Sequence, residues 1–404
     1  MYITSMTHRD ELFELTLRWM NDDFDPEDGK TATRIFLYES AISSVVVNRM
    51  REFLSTLFQT PLQTERIRQK HALREGIIHY LPRKSSRNMS LVESYRTNPE
   101  FYFPRLPIDA ILMTTPDRKL VASGRIKQLN RIAEKVSFRV VDALFQEIKA
   151  EAKRIAGYRA AEADVSIAEL ESSPETMRRD FFEAEAKVSL GFKNKGVKID
   201  SQSMILNDLL GFKIIAEPEM IDLIPVMLEK ESGFALAEIE HHTGDYKAVN
   251  LLVDMELPEP EELISRLRGT DWTIALKRGL DPEEVRSNAG EYVEQGERWV
   301  RVEIILTTYD ELMESEFGRS IHELRVLRLR QRQNYSGPLA QNAAYIVEYL
   351  LALASSPTVV LQELPVKMYG RYLPETIATS KWALYGYDVD SAIVNAFCPK
   401  LLCL

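Results

Sequence analysis

Trp299-Val300-Arg301-Val302-Glu303-Ile304-Ile305-Leu306-Thr307 places Val300, Val302, Ile304 and Leu306 on one side of an extended chain, with Arg301 and Glu303 on the other. That two-residue period predicts a strand with one face buried. Upstream, Gly211 to Ala216 reads as a second strand, rich in Phe and Ile, and Ala235–His241 and Lys247–Met255 as two more. Three- and four-residue spacing predicts helices over Pro174–Leu190, Met220–Lys230, Pro258–Arg268, Tyr309–Gln333 and Pro338–Ala354. Ser203–Leu209 reads as a short helix or turn. Strands set among helices predict an α+β fold, a mixed β-sheet with helices packed on it.

The first part of the chain reads differently. Helices are expected over Glu11–Met20, Thr33–Phe58 and, as one or two pieces, Ile126–Ala156, with a short strand over Ile108–Thr115. Asn98–Pro107 holds three prolines and reads as a linker. The basic stretch from Arg66 to Arg87 predicts a solvated helix face followed by a loop. The expected division is a mostly helical N-terminal domain over 1–160, a sheet-bearing domain over 161–335, and a helical C-terminal extension over 336–404 packing on it.

Of the 404 residues, 45% are hydrophobic and 28% charged, which excludes wholesale disorder. The net charge of −10 disfavours whole-surface binding to nucleic acid. That charge is local: between Glu217 and Glu262 thirteen acids face Lys230 and Lys247 alone. Two cysteines, Cys398 and Cys403, form no CxxC pair and predict a reduced, cytoplasmic protein without structural zinc or a disulfide scaffold. The first residues lack a basic region followed by an apolar run, so no signal peptide is expected, and no apolar run reaches membrane-spanning length.

Neither a GxGxxG nor a GxxxxGK[ST] phosphate loop occurs, nor a GxSxG elbow, nor an HExxH helix. His241 and His242 adjoin on a predicted strand and therefore point to opposite faces, a poor metal pair. What is left is chemistry run by carboxylates and a bound cation.

Three stretches carry a likeness. Asn207-Asp208-Leu209-Leu210-Gly211-Phe212-Lys213-Ile214-Ile215, then His242-Thr243-Gly244-Asp245-Tyr246-Lys247-Ala248-Val249-Asn250, then Arg301-Val302-Glu303-Ile304-Ile305-Leu306-Thr307 follow one another in order. Over about residues 174–335 the chain resembles the RelA/SpoT synthetase family, enzymes of nucleotidyltransferase fold. They move pyrophosphate from ATP to the 3′-hydroxyl of a guanine nucleotide. The resemblance implies Mg²⁺ as cofactor, held by Asp208 with Glu303, and Glu303 as an alternative proton acceptor. It implies Tyr246 stacked on the acceptor base, with Lys247, Asn250 and Lys213 beside it. Arg178, Arg179, Lys187, Lys193 and Lys195 form a group of candidates for the phosphates.

The chain departs from the family pattern at three places: Asp245 stands for a Gly, Asn250 for a His and Leu306 for an Arg. The missing cation at 306 opens a second reading, a nucleotide sensor that kept the fold without catalysis. A third is a transferase acting on an RNA 3′ end, docked by the basic stretch. Residues 1–160 carry no His-Asp hydrolase signature. An inserted segment from Pro258 to Gly296 is expected between the second and third stretches.

Overall fold

The computed structural model describes residues 1–80, 85–170, 174–244, 247–318, 321–331 and 337–386. Its first elements are β1 (Tyr2–Ile3), α1 (Arg9–Met20), α2 (Asp28–Leu57), β2 (Gln63–Gln69), α3 (Lys70–His79), α4 (Ser86–Thr97), β3 (Pro107–Thr114) and β4 (Leu120–Ile126). Next come α5 (Leu129–Ala163), α6 (Ile167–Leu170), α7 (Pro174–Lys193), β5 (Ile205–Leu206), β6 (Leu210–Ile215), α8 (Pro218–Lys230), β7 (Phe234–Thr243) and β8 (Lys247–Glu256). Four short helices follow: α9 (Pro260–Arg268), α10 (Thr273–Leu276), α11 (Pro282–Ser287) and α12 (Ala289–Gln295). The last elements are β9 (Trp299–Thr307), α13 (Tyr309–Phe317), α14 (His322–Gln331), α15 (Pro338–Leu353) and α16 (Pro374–Ala383).

Seven strands form one sheet in the order β2-β3-β4-β6-β9-β8-β7. β6 and β9 run parallel, and the other neighbours are antiparallel. The fold is therefore α+β with a mixed sheet. The division at residue 160 needs correction, because three strands from before it belong to this sheet. β4 pairs with β6, Ala122 opposite Ile214, and α5 runs unbroken through the expected boundary. The proline-rich segment also holds a 3-10 turn over Pro99–Tyr102.

Each face of the sheet has its own cover. Phe212, Ile214, Leu251, Val253, Val302, Ile304 and Leu306 lie in the larger core. It is built with long helices such as α5, whose Ile132, Val136, Val140, Leu144 and Ile148 recur every four residues and are all buried. On the opposite face a smaller core joins Ala110, Leu112 and Ile215 to Leu73, Ile77, Tyr95, Leu312 and Phe317 of α3, α4 and α13. It covers the β2–β4 half. Toward β8 and β7 that face carries Asn250, Asp254, Glu238 and Glu240 beside the apolar Leu252.

Several contacts tie distant parts of the chain together. β1 pairs in parallel with β5, and Thr4 donates from its backbone to the Leu206 carbonyl at 3.1 Å. The N-terminus thereby fixes the segment just before Asp208. At the start of α2, Gly29 meets the C-terminal segment so closely that a Cβ would stand 2.5 Å from the Val359 carbonyl oxygen. Alanine in a helix ordinarily gains about 1 kcal/mol over glycine. Here Gly29→Ala is expected to cost about 1–3 kcal/mol through overpacking. Urea unfolding checks this, and a gain in stability would refute the close contact.

Candidate active site

The site forms where the loop before β6 reaches the end of β4. Across the sheet, residues in register share a face, so Arg125, Gly211, Glu303, Leu252 and Glu238 form one row. The adjacent row on that face holds Ser123, Lys213, Ile305, Asn250 and Glu240. Asp208, two residues before β6, sits at the β4 side of this surface.

Asp208 is held by two ammonium groups. Lys127 lies 2.5 Å from its Oδ2 and donates to its backbone carbonyl at 2.8 Å, while Lys135 of α5 pairs with the same carboxylate oxygen. A backbone bond from Lys127 to the Leu209 carbonyl at 2.8 Å locks the two segments together. Burial opposes ionisation of Asp208, yet the two cations outweigh it and lower its pKa to about 2. The partner shifts the other way from a simple ion pair: burial, aided by the charge of Lys135, brings Lys127 down to about 8 although Asp208 opposes the fall. Both groups are charged at neutral pH.

Among the described residues no cation clamps Glu303 in this way. Burial, followed by the negative charge of Asp208, raises its pKa, and Lys127, Lys135 and Arg125 offset part of that rise. A carboxylate pushed upward next to another carboxylate is suited to accept a proton. Gly211 stands in register with Glu303, and a Cβ there would meet Glu303 Oε2 at 3.7 Å, an ordinary contact. Lys213, two residues on, keeps some accessible surface, but burial lowers its pKa to about 8. Glu316 of α13 acts against that fall, and Lys70, Arg125 and Arg325 add to it. The same cations, together with burial, hold His322 well below the usual imidazole range.

Asn250 faces the same space, and its buried Oδ1 has no hydrogen-bond partner among the described residues. Lys247 shares its pleat with Val249 and Leu251, so strand alternation turns it to the opposite face, away from Glu303. Tyr246 lies outside the described residues, as do Cys398 and Cys403. Most of the basic group on and just after α7 is engaged elsewhere. Lys187 pairs with Glu183 at 3.4 Å and Glu151 at 3.6 Å, Arg179 lies 3.8 Å from Asp180, and Lys195 pairs with Asp23 at 2.7 Å. Lys193 sits 5.7 Å over the Tyr369 ring, and Arg178 is exposed. The cations that the fold brings to Asp208 are instead Lys127 and Lys135, with Arg125 on the same face as Glu303.

The basic stretch after residue 66 also differs from expectation. Arg66 and Arg68 lie on the edge strand β2, 3.3 and 3.2 Å from Asp109. Lys70 and Arg74 are buried, 1% and 0% exposed, against Glu316 and Glu323. Among the described residues of the stretch these four leave no continuous solvated basic face, and Arg83 and Lys84 lie outside the described residues. Among the described residues no group of three or more His, Cys, Asp or Glu side chains could by itself hold a metal ion. Asp208 and Glu303 are thus not joined by a third ligating side chain among the described residues.

No protein-family model matches the chain, and no curated protein matches it. Parts of the chain are similar to two solved structures. One is the small alarmone synthetase 1 from Bacillus subtilis, at 16% identity and a TM-score of 0.20, over 41% of this chain and 68% of that one. The other is a protein of Streptococcus mutans, at 10% identity and a TM-score of 0.20, over 43% of this chain and 69% of that one. At those scores neither likeness decides the fold or the reaction. Among the described residues no helix is long and apolar enough to cross a membrane.

Proposed function

We propose that the chain is a RelA/SpoT-like transferase of nucleotidyltransferase fold that moves pyrophosphate from ATP to a hydroxyl acceptor. One observation carries this reading: Asp208, clamped by Lys127 and Lys135, lies close enough to Glu303 for its charge to raise the Glu303 pKa. Phosphoryl-group transfer needs positioning and charge neutralisation more than covalent chemistry from the protein. Arg125, Lys127, Lys135 and Lys213 supply positive charge on the β4–β6 side for a triphosphate.

The acceptor oxygen would form a bond to the β-phosphorus while the bond from that phosphorus to the α,β-bridging oxygen breaks. AMP leaves with the electron pair, and the hydroxyl proton passes to Glu303. Mg²⁺, when bound by Asp208 and Glu303 with substrate phosphates, would neutralise charge on the transferring group. Two carboxylates are an adequate protein contribution for Mg²⁺. Lys127 and Lys135 must loosen their hold on Asp208 for it to enter.

The test is release of AMP from ATP with matching label transfer to a hydroxyl acceptor. Glu303→Gln is expected to lower that rate by roughly 10²–10⁴-fold, the range of a lost general base. Transfer undiminished in Glu303→Gln would sink the assignment. A nucleotide sensor is the second reading, favoured by Leu306, which is apolar and fully buried in the larger core. It predicts ATP binding by calorimetry without AMP release.

A further inference from the structure

Residues 2–8 form a strap that runs between the two segments carrying the carboxylates. β1 pairs in parallel with β5, Tyr2 opposite Ile205 and Ile3 opposite Leu206. Thr4 continues that pairing: its backbone N–H donates to the Leu206 carbonyl at 3.1 Å, and its hydroxyl donates to Asn207 Oδ1 at 2.9 Å. Its carbonyl turns the other way and accepts from the Arg301 backbone of β9 at 2.9 Å. Ser5 adds a hydroxyl bond to the Arg301 carbonyl at 2.7 Å, and the Glu297 backbone donates to the Thr7 carbonyl at 3.0 Å. Thr4 thus touches the residue next to Asp208 on one side and the residue two before Glu303 on the other.

This placement accounts for where Asp208 stands. β6 and β9 are parallel, with Gly211 opposite Glu303. Carried back two residues, that register would set Leu209 beside Arg301. The Arg301 N–H bonds instead to Thr4, so the chain before β6 is kept off β9 and turned toward the end of β4. There Lys127 donates from its backbone to the Leu209 carbonyl and holds Asp208 with its ammonium group. The far end of the strap is pinned independently. His8 sets Nδ1 2.9 Å from Glu11 and Nε2 2.7 Å from the Tyr292 carbonyl, and its ring stacks on Tyr292 at 3.8 Å. Glu39 accepts from the Thr7 backbone at 2.7 Å, the His8 backbone at 3.2 Å and the Tyr292 hydroxyl at 3.0 Å. Thr4, Ser5, Thr7 and His8 are all buried, so the strap lies inside the fold and is fixed at both ends.

Resting on the transfer reading above, we infer that Thr4 is a positioning residue, which sets the separation of Asp208 and Glu303 by bonding to both segments that carry them. Its side chain acts on the Asp208 segment, through Asn207, whereas its carbonyl serves β9. The hydroxyl can therefore be removed without cutting the strap. Valine keeps the shape and the backbone bonds but loses the bond to Asn207, and serine keeps that bond. One such hydrogen bond contributes little to the stability of the whole fold. A carboxylate slightly displaced from the reacting group, by contrast, loses much of its effect on the rate.

The experiment uses the full chain with ATP and Mg²⁺, and offers GDP, GTP and the 3′ end of a short RNA as acceptors. Thr4→Val is expected to lower kcat roughly tenfold with KM for ATP unchanged, and Thr4→Ser to retain the full rate. Asn207→Ala removes the same bond from the other side. It is expected to lower kcat by a similar factor, with no further loss when combined with Thr4→Val. Without any ligand, hydrogen exchange over residues 205–209 is expected to run roughly fivefold faster in Thr4→Val, with exchange elsewhere in the sheet unchanged. A kcat unmoved by both substitutions, or lost equally in Thr4→Ser, with Glu303→Gln inactive, overturns the inference and leaves the transfer reading standing. So does a loss in which KM rises and exchange quickens throughout the sheet, the mark of a merely structural role. Transfer to none of the acceptors by the unaltered protein overturns the transfer reading, and the inference falls with it.

Discussion

Asp208→Asn is expected to lower pyrophosphate transfer by roughly 10³-fold, in line with the loss of a preorganised electrostatic group. It is also expected to destabilise the fold in a pH-dependent way. Asp208 is largely buried, and its ionised form is held by Lys127 at 2.5 Å and by Lys135. Burial alone would raise its pKa, but the two cations lower it to about 2. The folded value lies below the unfolded one, so the stabilisation is present above about pH 4 and is lost as pH falls toward 2. Nearly two pKa steps at about 1.4 kcal/mol each correspond to about 2 kcal/mol at pH 7.

Asparagine removes that contribution and leaves two ammonium groups facing a neutral amide. Lys127, already down to about 8 through burial, then loses the carboxylate that kept it charged. Its folded pKa lies below its unfolded one, so it opposes folding at low pH and the penalty fades as pH rises from about 8 to 10.5. Urea unfolding at pH 7, in steps from pH 4 downward and in steps from pH 8 to 10.5 reads both effects. A stability difference that does not narrow with acid would refute the ion-pair account. Transfer within tenfold of the unaltered protein would remove Asp208 from the active site.

The strands near this carboxylate were legible for a simple reason. β9 alternates cleanly because one of its faces fills the larger core, and Val300, Val302, Ile304 and Leu306 are fully buried. β2 has a single buried residue, Ile67, since it is an edge, and an edge strand leaves almost no apolar period to read. β4 was hidden differently: Ala122, Ser123 and Gly124 are small residues in a central strand, where neighbours supply the bulk. Missing β4 meant missing Arg125 and Lys127 at its end and Lys135 just beyond. Their signal was present as bases at 125 and 127 followed by 135, two turns into a helix. Only strand order connects them to Asp208, more than seventy residues later. The break after α13 was also obscured, because apolar residues continue across Gly318 into α14.

Glu316→Gln is expected to cost about 3–5 kcal/mol, the range for removing one partner from a buried ionic group. Thr308 caps α13 by accepting from the Glu311 backbone at 3.3 Å, so the helix starts directly from β9 and carries Glu316 inward. There Glu316 meets Lys70 at 2.8 Å and Arg74 at 3.7 Å, while Glu323 meets the same two cations at 3.1 Å each. Two acids balance two bases. Burial opposes the ionised form of Glu316, and Lys70, Lys213 and Arg74 more than reverse that. The glutamine leaves the two buried bases sharing one carboxylate. Replacing Lys70 by Met together with Glu316 by Leu removes a charge of each sign and is expected to recover part of the loss. A cost below 1 kcal/mol for the single substitution would refute the network.

The same variant reaches the proposed site through Lys213. Glu316 is the group that most resists the fall of the Lys213 pKa, which burial has already brought to about 8. Without Glu316 that pKa drops further, and Lys213 sheds its proton near neutrality. A cation then disappears from the β4–β6 side of the face although no residue beside Asp208 has changed. Transfer by Glu316→Gln is therefore expected to show its optimum shifted to lower pH, where Lys213 is protonated again. A uniform loss at every pH would mean that the substitution acts through stability alone.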